Sequence, residues 1–249
     1  MSTNEALGKT VSINGKRYYN VDGINYYPSV TTILGAMSDS SGLDEWRQSV
    51  GEEKADEIAK FAANRGTIMH QMNEYFLSCK SKDKRERLRH AQMEIIVFVK
   101  EQNFTEAEMT IGRKLFFNFY NAGLFETIID VVSLEDMLFS HKMGGYAGRV
   151  DTIFIDSLGR ILILDFKSSK KPKKKEWILN YYRQIAAYFI AYWEMTGKKP
   201  AGGQIWISNE EDNEPQVFEV TMEDIKEHGA EFLQMVKNYH AKYPLNSIS

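Results

Sequence analysis

The stretch "GRVDTIFIDSLGRILILDFKSS", residues 148–169, constrains this chain more than any other. Two apolar, β-branched runs flank "DSLGR", which reads as a hairpin turn centred on Leu158. A loop symmetric about Leu158 sets Ile155 opposite Ile161, Ile153 opposite Ile163 and Asp151 opposite Asp165. Side chains alternate along a strand, so Asp151, Ile153, Ile163, Asp165 and Lys167 share one face while Phe154, Leu162 and Leu164 share the other. Both faces are apolar, and such a hairpin belongs inside a sheet covered on both sides.

The rest of the chain supplies the covers. "VSINGKRYYNVDGINYYPS" carries Asn14-Gly15 and Asp22-Gly23 between aromatic runs, which predicts an N-terminal hairpin. "VTTILGAM" reads as a short helix with Ser29, Thr31 and Thr32 as caps. Helix is expected from Leu43 to Leu77, broken near Val50-Gly51 and again at Arg65-Gly66, and from Lys84 to Gln102; residues 104–127 read as mostly helical. Strands are expected at Ile128–Ser133, Met137–Ser140, Ala147–Ile155 and Ile161–Lys167. A helix over Glu176–Met195, strands near Gly203–Ser208 and Gln216–Val220, and a helix from Met222 to Tyr243 complete the pattern. Helices flanking a central sheet make a three-layer α/β architecture.

Composition excludes several classes. No apolar run among the 249 residues approaches a bilayer-spanning length, and "MSTNEALGKT" has neither a signal core nor a transit-peptide character. A single cysteine, Cys79, rules out a disulfide framework and a four-cysteine metal site. The expectation is a protein of the reducing cytoplasm, neither secreted nor membrane-bound. A net charge of −3 means that contact with a polyanion needs a local basic patch.

Two carboxylates facing each other at the end of a buried ladder repel, since opposite Cβ atoms lie about 4.5–5.5 Å apart. Protonation of one acid, solvation of both, or a cation between them would relieve the strain. A hard ion such as Mg²⁺ accepts oxygen ligands of this kind. Lys167, one pleat further on, would then orient or deprotonate a water, or steady developing negative charge. Taken alone, the aspartates suit a solvated strand end equally well, and a one-residue slip of the turn would part them. His70, among Met69, Met72 and Phe76, suits a packed core, and Gln184 with Tyr188 suits plain helix packing.

Several stretches together carry a resemblance. "YAGRVDTIF" followed by "DFKSSKK" resembles the core of the PD-(D/E)XK nucleases, with Asp151 as the first acid and Asp165-Phe166-Lys167 as the D-x-K. "YYRQIAAYFIAY" is similar to the Q-x-x-x-Y helix of the RecB-like branch, and "ANRGTIMHQMNEYF" to its G-x-x-x-H helix. "YPSVTTIL" and the segment from Leu43 to Thr67 resemble phage exonucleases and the mitochondrial genome maintenance exonuclease. Val150 stands where the family name has proline.

The resemblance implies one nuclease domain over 1–249 with a restriction-endonuclease-like, mixed-sheet core: hairpin region 1–30, helical part 31–127, catalytic core 128–249. It implies a Mg²⁺- or Mn²⁺-dependent DNA exonuclease acting on single-stranded ends, without an iron–sulfur cluster, plausibly of a phage working in an infected host. His70, Asp151, Asp165 and the Phe166 carbonyl would ligate the metal, with Glu135 binding a second metal or bracing the site. Lys167 would be the catalytic lysine and Gln184 would hold it or the water. Tyr188 would support that arrangement or contact substrate. Lys170, Lys171 and Lys173, with Thr31, Thr32 and Arg65, would meet phosphates. A DNA endonuclease, a hydrolase of another phosphoester and a non-catalytic nucleic-acid-binding module are the competing readings.

Overall fold

A computed structural model describes residues 8–244. Strands β1 (Thr10–Ile13), β2 (Lys16–Asn20) and β3 (Tyr26–Pro28) form an antiparallel sheet in sequence order. The Asn14-Gly15 turn joins β1 to β2 with positive φ at both residues, as a two-residue hairpin loop demands. Asp22 closes the next connection by accepting the N–H groups of Ile24 and Asn25. The region is thus a three-stranded sheet, one strand more than a hairpin.

Five helices and a 3₁₀ turn follow this sheet: α1 (Val30–Met37), α2 (Ser41–Val50), α3 (Glu52–Ser78), α4 (Lys84–Gln102) and α5 (Glu106–Asn121), then the turn at Leu124–Thr127. The predicted break between α2 and α3 falls at Gly51, whose φ is +86°. No break occurs at Gly66. A Cβ there would sit 3.1 Å from Ser168 Oγ, so glycine serves the close approach of α3 to the sheet rather than ending the helix. The helix expected within residues 104–127 is α5, started by the reciprocal capping box of Thr105 and Glu108.

The central sheet has five strands in the order β4-β5-β6-β7-β8: Asp130–Ser140, Tyr146–Ile155, Ile161–Ser169, Gly202–Asn209 and Gln216–Val220. Only β6 and β7 run parallel, so the sheet is mixed. The connection between them is a 3₁₀ turn at Lys175–Trp177 and helix α6 (Leu179–Thr196); α7 (Met222–Lys242) is the last element among the described residues. The expected strands Ile128–Ser133 and Met137–Ser140 are one strand, β4. A register shift between Val131 and Ser133 and a left-handed residue at Glu135 (φ +53°) disguise its alternation.

The hairpin register is as the turn symmetry predicts, with Ile155 opposite Ile161 and Ile153 opposite Ile163. Ile153 and Ile163 pack with Tyr182, Ile185 and Phe189 of α6 and with α1 and α7. Phe154, Leu162, Leu164 and Phe166 pack with Met69, Met72 and Phe76 of α3 and with Phe116 and Phe119 of α5. Both faces of the sheet are therefore covered, giving three layers. Among the described residues, no helix is long and apolar enough to cross a membrane.

Candidate active site

The polar end of the central strands begins where the hairpin ladder stops. Its last backbone pair is Thr152–Leu164, so Asp151 and Asp165 are not ladder partners. Instead the Phe166 N–H donates to Asp151 Oδ2 at 2.7 Å. The side chain takes the role of a strand carbonyl, which fixes its direction. On the other side, Glu135 lies between the pairs Leu134–Thr152 and Asp136–Val150, level with Asp151. Its left-handed backbone is rare for a residue with a Cβ and stores strain of the kind found at functional sites.

Helix α3 brings the fourth group. Gly66 sits against Ser168, and one helical turn later His70 reaches the same strand end. His70 Nδ1 lies 3.5 Å from Asp151 Oδ2, and its ring meets Phe166 edge-on at 6.3 Å between centroids. Phe166 is itself fixed among Phe119, Phe125 and Trp206, with centroids 5.7, 6.4 and 5.6 Å away. Burying such a ring stabilises by about 1.5–3 kcal/mol, enough to hold the end of β6 in one place.

Ligand atoms of His70, Glu135 and Asp151 all lie within 4.8 Å of one another. Asp165 stands outside this trio. Fully buried, it forms an ion pair with Lys167, while neither carboxylate oxygen receives a well-aligned hydrogen bond. Lys167 Nζ also lies 5.1 Å over the Tyr181 ring. Gln184, nearly buried, donates from Nε2 to Tyr188 Oη at 3.2 Å, and Tyr188 fills the space above Gly148. His70, Glu135, Asp151, Gln184, Tyr188 and Thr31 line a cleft of about 500 Å³.

Burial and neighbouring charges shift the titratable groups of the site. Burial pushes Glu135 up to about 8, aided by the charges of Asp151 and Glu74. Burial raises Asp151 to about 6 against the pull of Lys167 and the Phe166 amide. Asp165 also rises to about 6, burial and Asp151 opposing Lys167. Burial lowers His70 to about 4, with Lys167 acting in the same sense, so its imidazole is neutral and free to coordinate at neutral pH. Burial disfavours the Lys167 ammonium, but Asp165 and Asp151 outweigh it and raise its pKa. Clustered carboxylates with one neutral imidazole are the donor set of a hard divalent ion, and the uncompensated oxygens of Asp165 call for positive charge beyond Lys167. The residues fit such an ion.

The remaining predicted contacts divide. Thr31 lines the cleft, whereas Thr32 Oγ1 turns back to the Arg17 carbonyl at 3.2 Å. Arg65 is not a solvent-facing cation; it is 5 % exposed and ion-paired with Glu210. Lys170 borders a separate groove with Arg65 and Glu210, and Lys171 lies 3.7 Å from Glu211. Lys173 does not sit on a loose loop, because Gln216 of β8 bonds both its N–H and its carbonyl. Sequence reasoning missed Arg17, Thr10 and Arg149, which also line the cleft. The signal of Arg17 and Thr10 is tertiary, since the N-terminal sheet folds over β5, whereas Arg149 precedes Asp151 by two residues on the same strand, and alternation alone puts it on the same face.

Likeness to solved structures is weak: SSO0001 shares 13 % identity at a TM-score of 0.38, covering 76 % of this chain and 88 % of its own. A Eubacterium rectale protein described as an exonuclease candidate shares 14 % at 0.42, covering 70 % and 68 %. None of the curated proteins matches. The model of the PD-(D/E)XK nuclease superfamily, whose members are metal-dependent phosphodiesterases, matches residues 38–245. That match spans His70, Glu135, Asp151, Asp165 and Lys167, and by it the chain belongs to the PD-(D/E)XK nuclease superfamily.

Proposed function

We propose that this protein is a DNA exonuclease that hydrolyses phosphodiester bonds at single-stranded ends, using Mg²⁺ or Mn²⁺ held by His70, Glu135, Asp151, Asp165 and the Phe166 carbonyl. The observation that carries the reading is the convergence of His70, Glu135 and Asp151 within 4.8 Å beside the buried Asp165 and its ion-pair partner Lys167. When bound, the ion supplies Lewis-acid polarisation of the phosphate and a more acidic water.

The chain's own residues do the rest. His70 stays neutral and keeps its ring edge against Phe166, while the Phe166 N–H holds Asp151 in place. Lys167 carries a charge stabilised by Asp165, which suits it to steady negative charge growing on the phosphate more than to accept a proton. Gln184, anchored by Tyr188, orients the water that attacks phosphorus. Lys170, Lys171 and Lys173, which lie outside the cleft, meet more distant phosphates of the substrate. The preference for ends and for single strands rests on the likeness of "YPSVTTIL" and the following segment to phage exonucleases.

The test is digestion of 5′- and 3′-labelled oligonucleotides, single- and double-stranded, with Mg²⁺ and with EDTA, beside circular single-stranded DNA. Mononucleotides or short products from linear single strands only, abolished by EDTA, are expected. Cleavage of the circle would overturn the exonuclease assignment.

A further inference from the structure

The acidic cluster poses a problem for any polyanionic substrate: the ionised carboxylates of Asp151 and Asp165 repel the phosphates that flank the one being cut. Compensating cations are expected within the cleft, and two arginines outside the described catalytic set are there. Arg17, on β2, and Arg149, on β5, both line the 500 Å³ cleft with His70, Glu135 and Asp151. Both are exposed, and neither has a carboxylate at ion-pair distance among the described residues, unlike Arg65.

Arg17 is held ready. Its Nη2 donates to Thr31 Oγ1 at 2.7 Å. Its carbonyl accepts the Ser29 N–H at 3.0 Å and the Thr32 hydroxyl at 3.2 Å. The β2 backbone is thus stapled to the start of α1, and among the described residues the remaining guanidinium donors have no hydrogen-bond acceptor. A pre-positioned fork of donors matches the planar geometry of phosphate better than an ammonium does. No acidic residue sits in the first turn of α1 to compete.

Arg149 marks a continuation. A second hollow of about 570 Å³, lined by Gly8, Lys9, Asp136 and Met137, shares Thr10, Glu135 and Arg149 with the cleft. The two hollows form one groove that passes from Arg17 and Thr31 over the acids to Arg149 and Lys9.

We propose that Arg17 and Arg149 each bind a phosphate of the substrate strand next to the one being hydrolysed, and that the groove between the N-terminal sheet and β4–β5 is the path of that strand. This rests on the reading of the protein as a nuclease.

The test is binding of a short labelled oligothymidylate to the full chain in EDTA over a range of salt, for the native protein, Arg17→Gln, Arg149→Gln, Arg17→Lys and Arg149→Lys. Each glutamine variant is expected to bind more weakly and to flatten the slope of log K against log salt by about 0.7. Each lysine variant should keep the native slope. A single methylphosphonate moved along the strand should weaken native binding at two positions, and lose its effect at one of them in each glutamine variant. Unchanged slopes in correctly melting variants, or no binding by the native protein, overturn the proposal. Failure of the nuclease reading looks different: native binding and slopes as expected, with no cleavage on adding Mg²⁺ or Mn²⁺.

Discussion

Asp151 on β5 accepts the backbone N–H of Phe166 on β6 at 2.7 Å, just beyond the last paired residues of the hairpin. One carboxylate oxygen thereby joins two strands and lies 3.5 Å from His70. The same contact makes Asp151 a structural acceptor and a metal-ligand candidate, and substitution can separate the roles.

Asp151→Asn keeps an oxygen for the Phe166 amide and removes the charge whose burial is unfavourable. In EDTA its melting temperature should equal or exceed that of the native protein. With Mg²⁺ its turnover should fall at least about a hundredfold, the smallest loss expected for a group essential to the chemical step. A lower melting temperature in EDTA would contradict the assignment.

Lys167→Ala should lower turnover by about 10²–10³-fold while leaving most DNA affinity, because its interaction is strongest in the transition state. Removing Lys167 also strips Asp165 of its ion-pair partner, so some stability is lost at neutral pH. Retained turnover in single-turnover assays would show that Lys167 takes no part.

The protonation of Glu135 sets a pH trend. Glu135 titrates at about 8 in the fold, against 4.5 for an ordinary glutamate. Between those values the folded state holds a proton that the unfolded chain lacks, so stability falls as pH rises. From about pH 7.5 to 8.5, well above the 6.5 of an ordinary imidazole, His70 is largely neutral in both states and masks little of this fall. Melting temperature in EDTA should therefore drop across that window, the drop should vanish in Glu135→Gln, and added Mg²⁺ should stabilise most at the high end. A flat native profile in EDTA would refute the burial of a protonated Glu135.

Gly148→Ala would place a Cβ 2.7 Å from the Tyr188 ring. Tyr188 must shift, and Gln184 loses the hydroxyl that anchors it. Overpacking of this kind costs about 1–3 kcal/mol, so the variant folds, with turnover reduced more than substrate affinity. Gly148→Ala with native turnover would detach Tyr188 and Gln184 from the chemistry.

The hairpin and its acids were legible because a short symmetric turn and alternating apolar residues leave one register that buries both faces. That Asp151 leaves the ladder was not legible, since its partner is a backbone amide and not a residue type. Glu135 showed as an acid at a plausible place, but its left-handed backbone, which merges two expected strands into β4, has no local signature. Helix α3 runs through Gly66 because contact with Ser168 outweighs the roughly 1 kcal/mol that glycine costs a helix, a tertiary effect. Arg65 read as a free cation for the same reason: Glu210, its partner, is remote in sequence. Arg17 was invisible until the N-terminal sheet was seen against the start of α1.

The central claim is a divalent cation at the meeting of β4, β5, β6 and α3. The most direct measurement is the anomalous difference map of a crystal soaked in Mn²⁺. A peak within about 2.0–2.6 Å of oxygen or nitrogen ligands from His70, Glu135 and Asp151, with Asp165 turned toward it, is the predicted result. A fully soaked crystal with no peak in reach of Asp151 or Asp165 would contradict it.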